Sequence, residues 1–169
     1  AAETFESLAA WTLPSAAGTT APTINDDGQL QFEVTSGVNG NYVSKAISSS
    51  NNTNNSTMAI DLDFKASGTA DISVLVNSSY AVRLLIQNGQ LRHIQKVNNA
   101  NTTVVVAKNN ADGYPAFPLS TTQMHHARLV LDMVHQQYDL YIDGILCSEY
   151  KWENGKLTKV GEYTVNTAA

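Results

Sequence analysis

From Met58 to Lys65 apolar and polar side chains change places at every step. Met58, Ile60, Leu62 and Phe64 share one side; Ala59, Asp61, Asp63 and Lys65 share the other. Successive side chains of an extended strand point to opposite faces, so this pattern predicts a strand with one buried face. The same period returns between His125 and Tyr150. Ala127, Leu129, Leu131 and Met133 alternate with His126, Arg128, Val130 and Asp132, and Tyr138, Leu140 and Ile142 alternate with Asp139, Tyr141 and Asp143. Asp143-Gly144 suits a type I′ turn, whose twist matches that of paired strands, and predicts a hairpin onto Ile145, Leu146 and Cys147.

The rest of the chain has the same grammar. A short strand through Phe5 ends before Pro14, Asp27-Gly28 turns the chain ahead of Leu30, Phe32 and Val34, and another strand runs from Asn41 to Ile47. The polar tract 48–57 cannot bury enough surface to order itself and is expected to be a surface loop. Further strands are expected at Ile72–Val76, Tyr80–Gln87, Leu91–Val97, Thr103–Ala107 and Leu157–Val165, with Asn88-Gly89 a second hairpin signal. No stretch has helical period and no segment repeats at a fixed spacing. Residues 1–169 are expected to form one antiparallel β domain, a size at which a core folds without staples.

Composition narrows the function classes. The net charge of −5 and the scattered Lys and Arg argue against a nucleic-acid surface. No apolar run approaches membrane-spanning length. The one cysteine, Cys147, lies in an apolar strand and is expected to be a buried, inert thiol. With charged residues at 15% and abundant Asn, Ser and Thr, the chain is expected to be secreted and extracellular. N-x-S/T triplets at Asn51, Asn54, Asn55, Asn77 and Asn101 are expected by chance in so Asn-rich a chain.

His126, Leu129, Val130 and Leu131, followed by Tyr138, Leu140, Tyr141, Ile142, Asp143 and Gly144, resemble the closing strands of concanavalin-A-like, or laminin-G-like, jelly-roll domains. The opening Thr4-Phe5-Glu6-Ser7, with Trp11 beyond it, resembles the start of secreted polysaccharide-associated modules of that fold. The resemblance implies an all-β jelly-roll sandwich. It does not choose a function, because the fold carries lectins, glycan-binding modules, hydrolases and lyases.

Four chemistries are open to such a domain. The first is glycan binding on the polar strand faces, where Arg83, Arg92, His93, Gln95, Lys96, His126, Arg128 and Tyr141 are the candidates. Arg suits a uronate carboxylate and Gln suits hydroxyls, although an ordinary solvated sheet face has the same composition. The second is stacking of sugar rings on Tyr42, Tyr80, Tyr114, Phe117, Tyr150 and Trp152 at the loops, the alternative being that Phe117 and Trp152 seal the ends of a sandwich. The third is a structural calcium, implied by the resemblance, with Glu3, Glu6 and Asp143 among the available oxygen donors. Asp143 is also accounted for by its turn. His125 and His126 are adjacent strand residues that point opposite ways, so they cannot share one metal without a bulge.

The fourth is catalysis. Hydrolases of the resembled fold carry paired carboxylates as E-x-D-x-x-E or E-x-D-x-E, and the stretch Glu149 to Glu153 lacks the middle Asp. A uronate lyase would draw on His93 or His126 with Arg92, Gln95 and Tyr141, but adjacent Arg92 and His93 face opposite ways. The expected function is therefore a non-catalytic carbohydrate-binding module, attached to a catalytic domain of a secreted polysaccharide-degrading enzyme. The alternatives are a small uronate lyase and a structural or protein-adhesive domain.

Overall fold

The computed structural model describes residues 8–9, 11–13, 21–33, 42–46, 57–76, 79–97, 100–108, 117–132, 137–153 and 156–161. The chain forms two compact units, Ala1–Ser50 and Asn51–Ala169. In the first, β1 (Thr23–Ile24) pairs antiparallel with β2 (Leu30–Gln31) across a turn in which Gly28 takes φ +71°. Asn25 Oδ1 accepts from the Asp27 and Gln29 backbone N–H groups at 3.1 and 2.8 Å, which organises that turn. The strand expected over Leu30, Phe32 and Val34 ends at Gln31, and Phe32 is exposed. Of the strand expected over 41–47, the described residues 42–46 form one bridge, Ser44 to Thr12. Lys45 Nζ stands 5.6 Å over the Trp11 ring.

The second unit is all-β and antiparallel. Its strands are β3 (Thr57–Phe64), β4 (Ala70–Val76), β5 (Ser79–Gln87), β6 (Gln90–Val97), β7 (Ala100–Lys108), β8 (His125–Asp132), β9 (Gln137–Ile142), β10 (Ile145–Glu153) and β11 (Lys156–Gly161). They pair in the order β3-β8-β9-β10-β7-β6-β5-β4, with β11 also on β10. β11 thus lies beside β10. The hairpin strand that opens at Ile145, expected within a stretch of strands reaching Tyr150, continues to Glu153.

This path folds back on itself. Laid flat, eight strands would hold β3 and β4 about 34 Å apart. The five residues between Phe64 and Ala70 reach only about 20 Å at full stretch. The crossover is β10: Ile145 and Leu146 pair with β9, and Cys147 to Tyr150 pair with β7. Strands that change layers in this way make the corners of packed β-structures. Val82, Leu84, Ile86, Leu91 and Val106 from one side of the crossover share a core with Ala127, Leu129, Leu131, Tyr138, Leu140 and Ile142 from the other. The arrangement is β-sandwich-like, and in β3, β8 and β9 the inward face is the one that alternation picks out. Cys147 is buried, as its apolar setting predicts. Phe117 and Leu119 also join the core, held by Phe117 N–H to Val106 O at 2.7 Å and Leu119 N–H to Gly89 O at 2.9 Å. No helix among the described residues is long and apolar enough to cross a membrane.

Candidate functional site

The register of β3, β8 and β9 builds one polar surface. Asp61 stands opposite Arg128 and Asp63 opposite His126, while Arg128 also faces Tyr141. Directly opposed residues in an antiparallel sheet share a face. His126 Nδ1 is 2.7 Å from Asp63 Oδ1, its Nε2 is 3.2 Å from Asp61 Oδ1, and Arg128 Nη1 is 3.5 Å from that same oxygen. A neutral imidazole has one N–H, so two carboxylate acceptors are satisfied only by imidazolium. The Asp63 hydrogen bond, foremost, and that of Asp61 accordingly raise the His126 pKa above its ordinary value, against a smaller desolvation effect.

Asp143 closes the end of this surface. Its Oδ2 is 2.8 Å from His125 Nδ1, and its Oδ1 accepts from the His126 backbone N–H at 2.8 Å. The Asp143 N–H in turn donates to His126 O at 2.8 Å. Paired residues at such a position normally exchange two backbone hydrogen bonds. Here the left-handed φ of +51° at Asp143 begins the turn, and the carboxylate replaces the backbone carbonyl as acceptor. Desolvation pushes the Asp143 carboxyl up, but the His125 and His126 hydrogen bonds together hold it below its ordinary value. The Ser120 N–H donates to His125 Nε2 at 2.9 Å, so His125 carries its proton on Nδ1 in the neutral ring. Ser120 Oγ is turned elsewhere, accepting from the Thr122 and Gln123 N–H groups at 3.2 and 3.1 Å. Ser120, His125 and Asp143 therefore brace the entry to β8 and do not form a nucleophilic triad.

A second polar surface lies on the outer face of β4, β5 and β6. Arg83 Nε is 2.7 Å from Asp71 Oδ2, and Ser73 Oγ donates to the other Asp71 oxygen. Arg92 Nη2 donates to Gln90 Oε1 at 3.2 Å. The polar candidates are thus divided between two surfaces and the core. His93 is 2% exposed and stacks edge-on against Tyr138 at 5.7 Å between ring centroids. Its neighbour Arg92 points outward, as strand geometry requires. Gln95 lies in β6 opposite Thr102, described as backbone only. His125 is covered and His126 exposed, the opposite orientations expected of adjacent strand residues.

Among the aromatic candidates Tyr42 is 58% exposed, whereas Phe117 is a core residue. Tyr80 and Trp152 are placed in β5 and β10 as backbone, and Tyr114 lies outside the described residues. Glu3 and Glu6 also lie outside them. Both oxygens of Asp143 accept hydrogen bonds, from His125 and His126. Among the described residues no group of three or more His, Cys, Asp or Glu is placed to hold a metal. Asp61 and Asp63 were absent from the sequence-derived candidates. Their alternation with Met58, Ile60, Leu62 and Phe64 marks them as outward-facing, but only the β3–β8 register gives them partners. Compared with known protein families, curated proteins and solved structures, the chain matches none.

Proposed function

We propose that the chain is a non-catalytic carbohydrate-binding module with a concanavalin-A-like jelly-roll sandwich, attaching a secreted polysaccharide-degrading enzyme to extracellular glycan. One observation carries the choice of binding over catalysis. Neither candidate base has a nitrogen ready for a substrate proton: His93 faces the core, and both ring nitrogens of His126 meet carboxylates. A general base needs a lone pair within reach of the proton it removes. What the outer faces offer is a rigid display of hydrogen-bonding groups, held by pairing with neighbours. Such preorganisation suits recognition of hydroxyl-rich polymers, and anchoring raises the local concentration of an attached catalytic domain near its substrate.

The test is a binding screen against neutral, uronate-containing and sulfated polysaccharides, with and without EDTA, while following the absorbance of unsaturated uronate. Saturable binding with flat absorbance is expected. Absorbance that grows with time would move the assignment to a lyase. Loss of binding in EDTA would add a structural calcium, and silence across all polymers would leave a structural or protein-adhesive role.

A further inference from the structure

We infer that Arg92, on the outer face of β6, is the anion-recognition group of this domain and takes the carboxylate of an acidic sugar. The inference rests on the glycan-binding reading and names the class of glycan. The chain has three arginines, Arg83, Arg92 and Arg128. Two are matched by carboxylates, Arg83 by Asp71 at 2.7 Å and Arg128 by Asp61 at 3.5 Å. Arg92 has no carboxylate partner among the described residues. Its polar contact is the neutral Gln90 amide oxygen, and its Nε is buried without an acceptor.

The surroundings sharpen the contrast. The register places Asp71, Leu85, Arg92 and Val105 in one row across β4, β5, β6 and β7. Both immediate neighbours of Arg92 in that row are apolar. The acid of the row stands two strands away, about 10 Å, and is already engaged by Arg83 and Ser73. A guanidinium cannot shed its charge in a protein. Half-buried beside apolar residues, it attracts an anion more strongly than an open-surface cation does.

The geometry also sets how the ligand arrives. With Nε closed off, a carboxylate meets the outer guanidinium nitrogens end-on. Gln90 gives its amide oxygen to Arg92 and keeps its N–H donors for a neighbouring hydroxyl. The other polar surface disfavours an acidic sugar, since Asp61, Asp63, Asp139 and Asp143 lie there or at its end.

The test uses the full chain. Polygalacturonate and a neutral glucan are titrated against wild type, Arg92→Gln and Lys65→Gln, the last removing an equal charge from the β3–β4 connection. Arg92→Gln is expected to weaken polygalacturonate binding roughly ten- to a hundred-fold, with Lys65→Gln within about threefold of wild type. Equal binding by Arg92→Gln and wild type would overturn the Arg92 assignment and leave glycan binding standing. A second readout needs no polymer: the Arg92 Nε–H cross-peak is followed by NMR during titration with galacturonate and with galactose. A saturating shift with galacturonate alone is expected. No shift, or equal shifts with both sugars, would overturn the assignment even if every polymer fails to bind.

Discussion

At the scale of single residues, His126 and Asp143 carry the most specific chemistry. His126 sits between Asp63 and Asp61, and its pKa lies above 6.5. A group whose folded pKa is raised adds stability that is fully present below the unfolded value and fades as pH climbs through the folded one. An NMR pH titration should therefore place the His126 midpoint above 6.5, and Asp63→Asn should bring it down, because the largest raising cause is gone. For Asp143 the sign reverses. Its pKa lies below 3.8, so its contribution is complete above that pH and is lost as pH falls through the lowered value. Asp143→Ala removes two acceptors and puts a less tolerant residue at positive φ. It should cost about 2 kcal/mol in urea unfolding at neutral pH, with a smaller difference from wild type in acid. Arg83 and Arg128 were legible as outward-facing arginines. Their paired aspartates were not, because each partner sits on another strand.

At the scale of elements, the two hairpins test turn chemistry. Asn88-Gly89 and Asp143-Gly144 both take positive φ at both residues, at 54° and 66° and at 51° and 77°. These are the type I′ angles that Asn-Gly and Asp-Gly predict. A Cβ at Gly144 meets nothing within 4 Å, so Gly144→Ala should cost only backbone strain, about 1 kcal/mol by equilibrium unfolding. Gly89→Ala would also touch the Leu119 carbonyl oxygen at 3.4 Å, an ordinary contact, and should cost a similar amount. β10 is the element that the local pattern described least well. The run that opens with Ile145, Leu146 and Cys147 reads as a hairpin strand reaching no further than Tyr150. Its extension to Glu153 depends on partners in β7 and β11, distant and later in the chain.

At the scale of the whole second unit, stability comes from one core that both sides of the β10 crossover fill. Leu84 and Leu140 are 0% exposed and lie on opposite sides of that crossover. Replacing either with Ala should cost about 2–5 kcal/mol, read as a shift in the denaturant midpoint. Cys147, 2% exposed, reports on the same core. Its thiol should react with a colorimetric disulfide reagent only as fast as the protein opens, and Leu84→Ala should accelerate that reaction. Rapid reaction of the native protein at wild-type stability would contradict a closed core around β10.

The sequence by itself determined the strands from Thr57 to Ile142, the inward faces of β3, β8 and β9, and both type I′ turns. Each of these depends on chemistry within a few residues: a period of two, or a pair that tolerates positive φ. The tertiary structure decided which strands meet. Asp63 and His126 are 63 positions apart, and nothing in either strand's alternation records that separation. It follows from folding the sheet path over a common core, which brings β3 beside β8 and divides the polar candidates between two surfaces. The same closure turned His93 inward and left Arg92 on the outside with no carboxylate among the described residues. Solvent exposure and charge pairing are properties of neighbours in space, and alternation specifies only which side of its own strand a residue occupies.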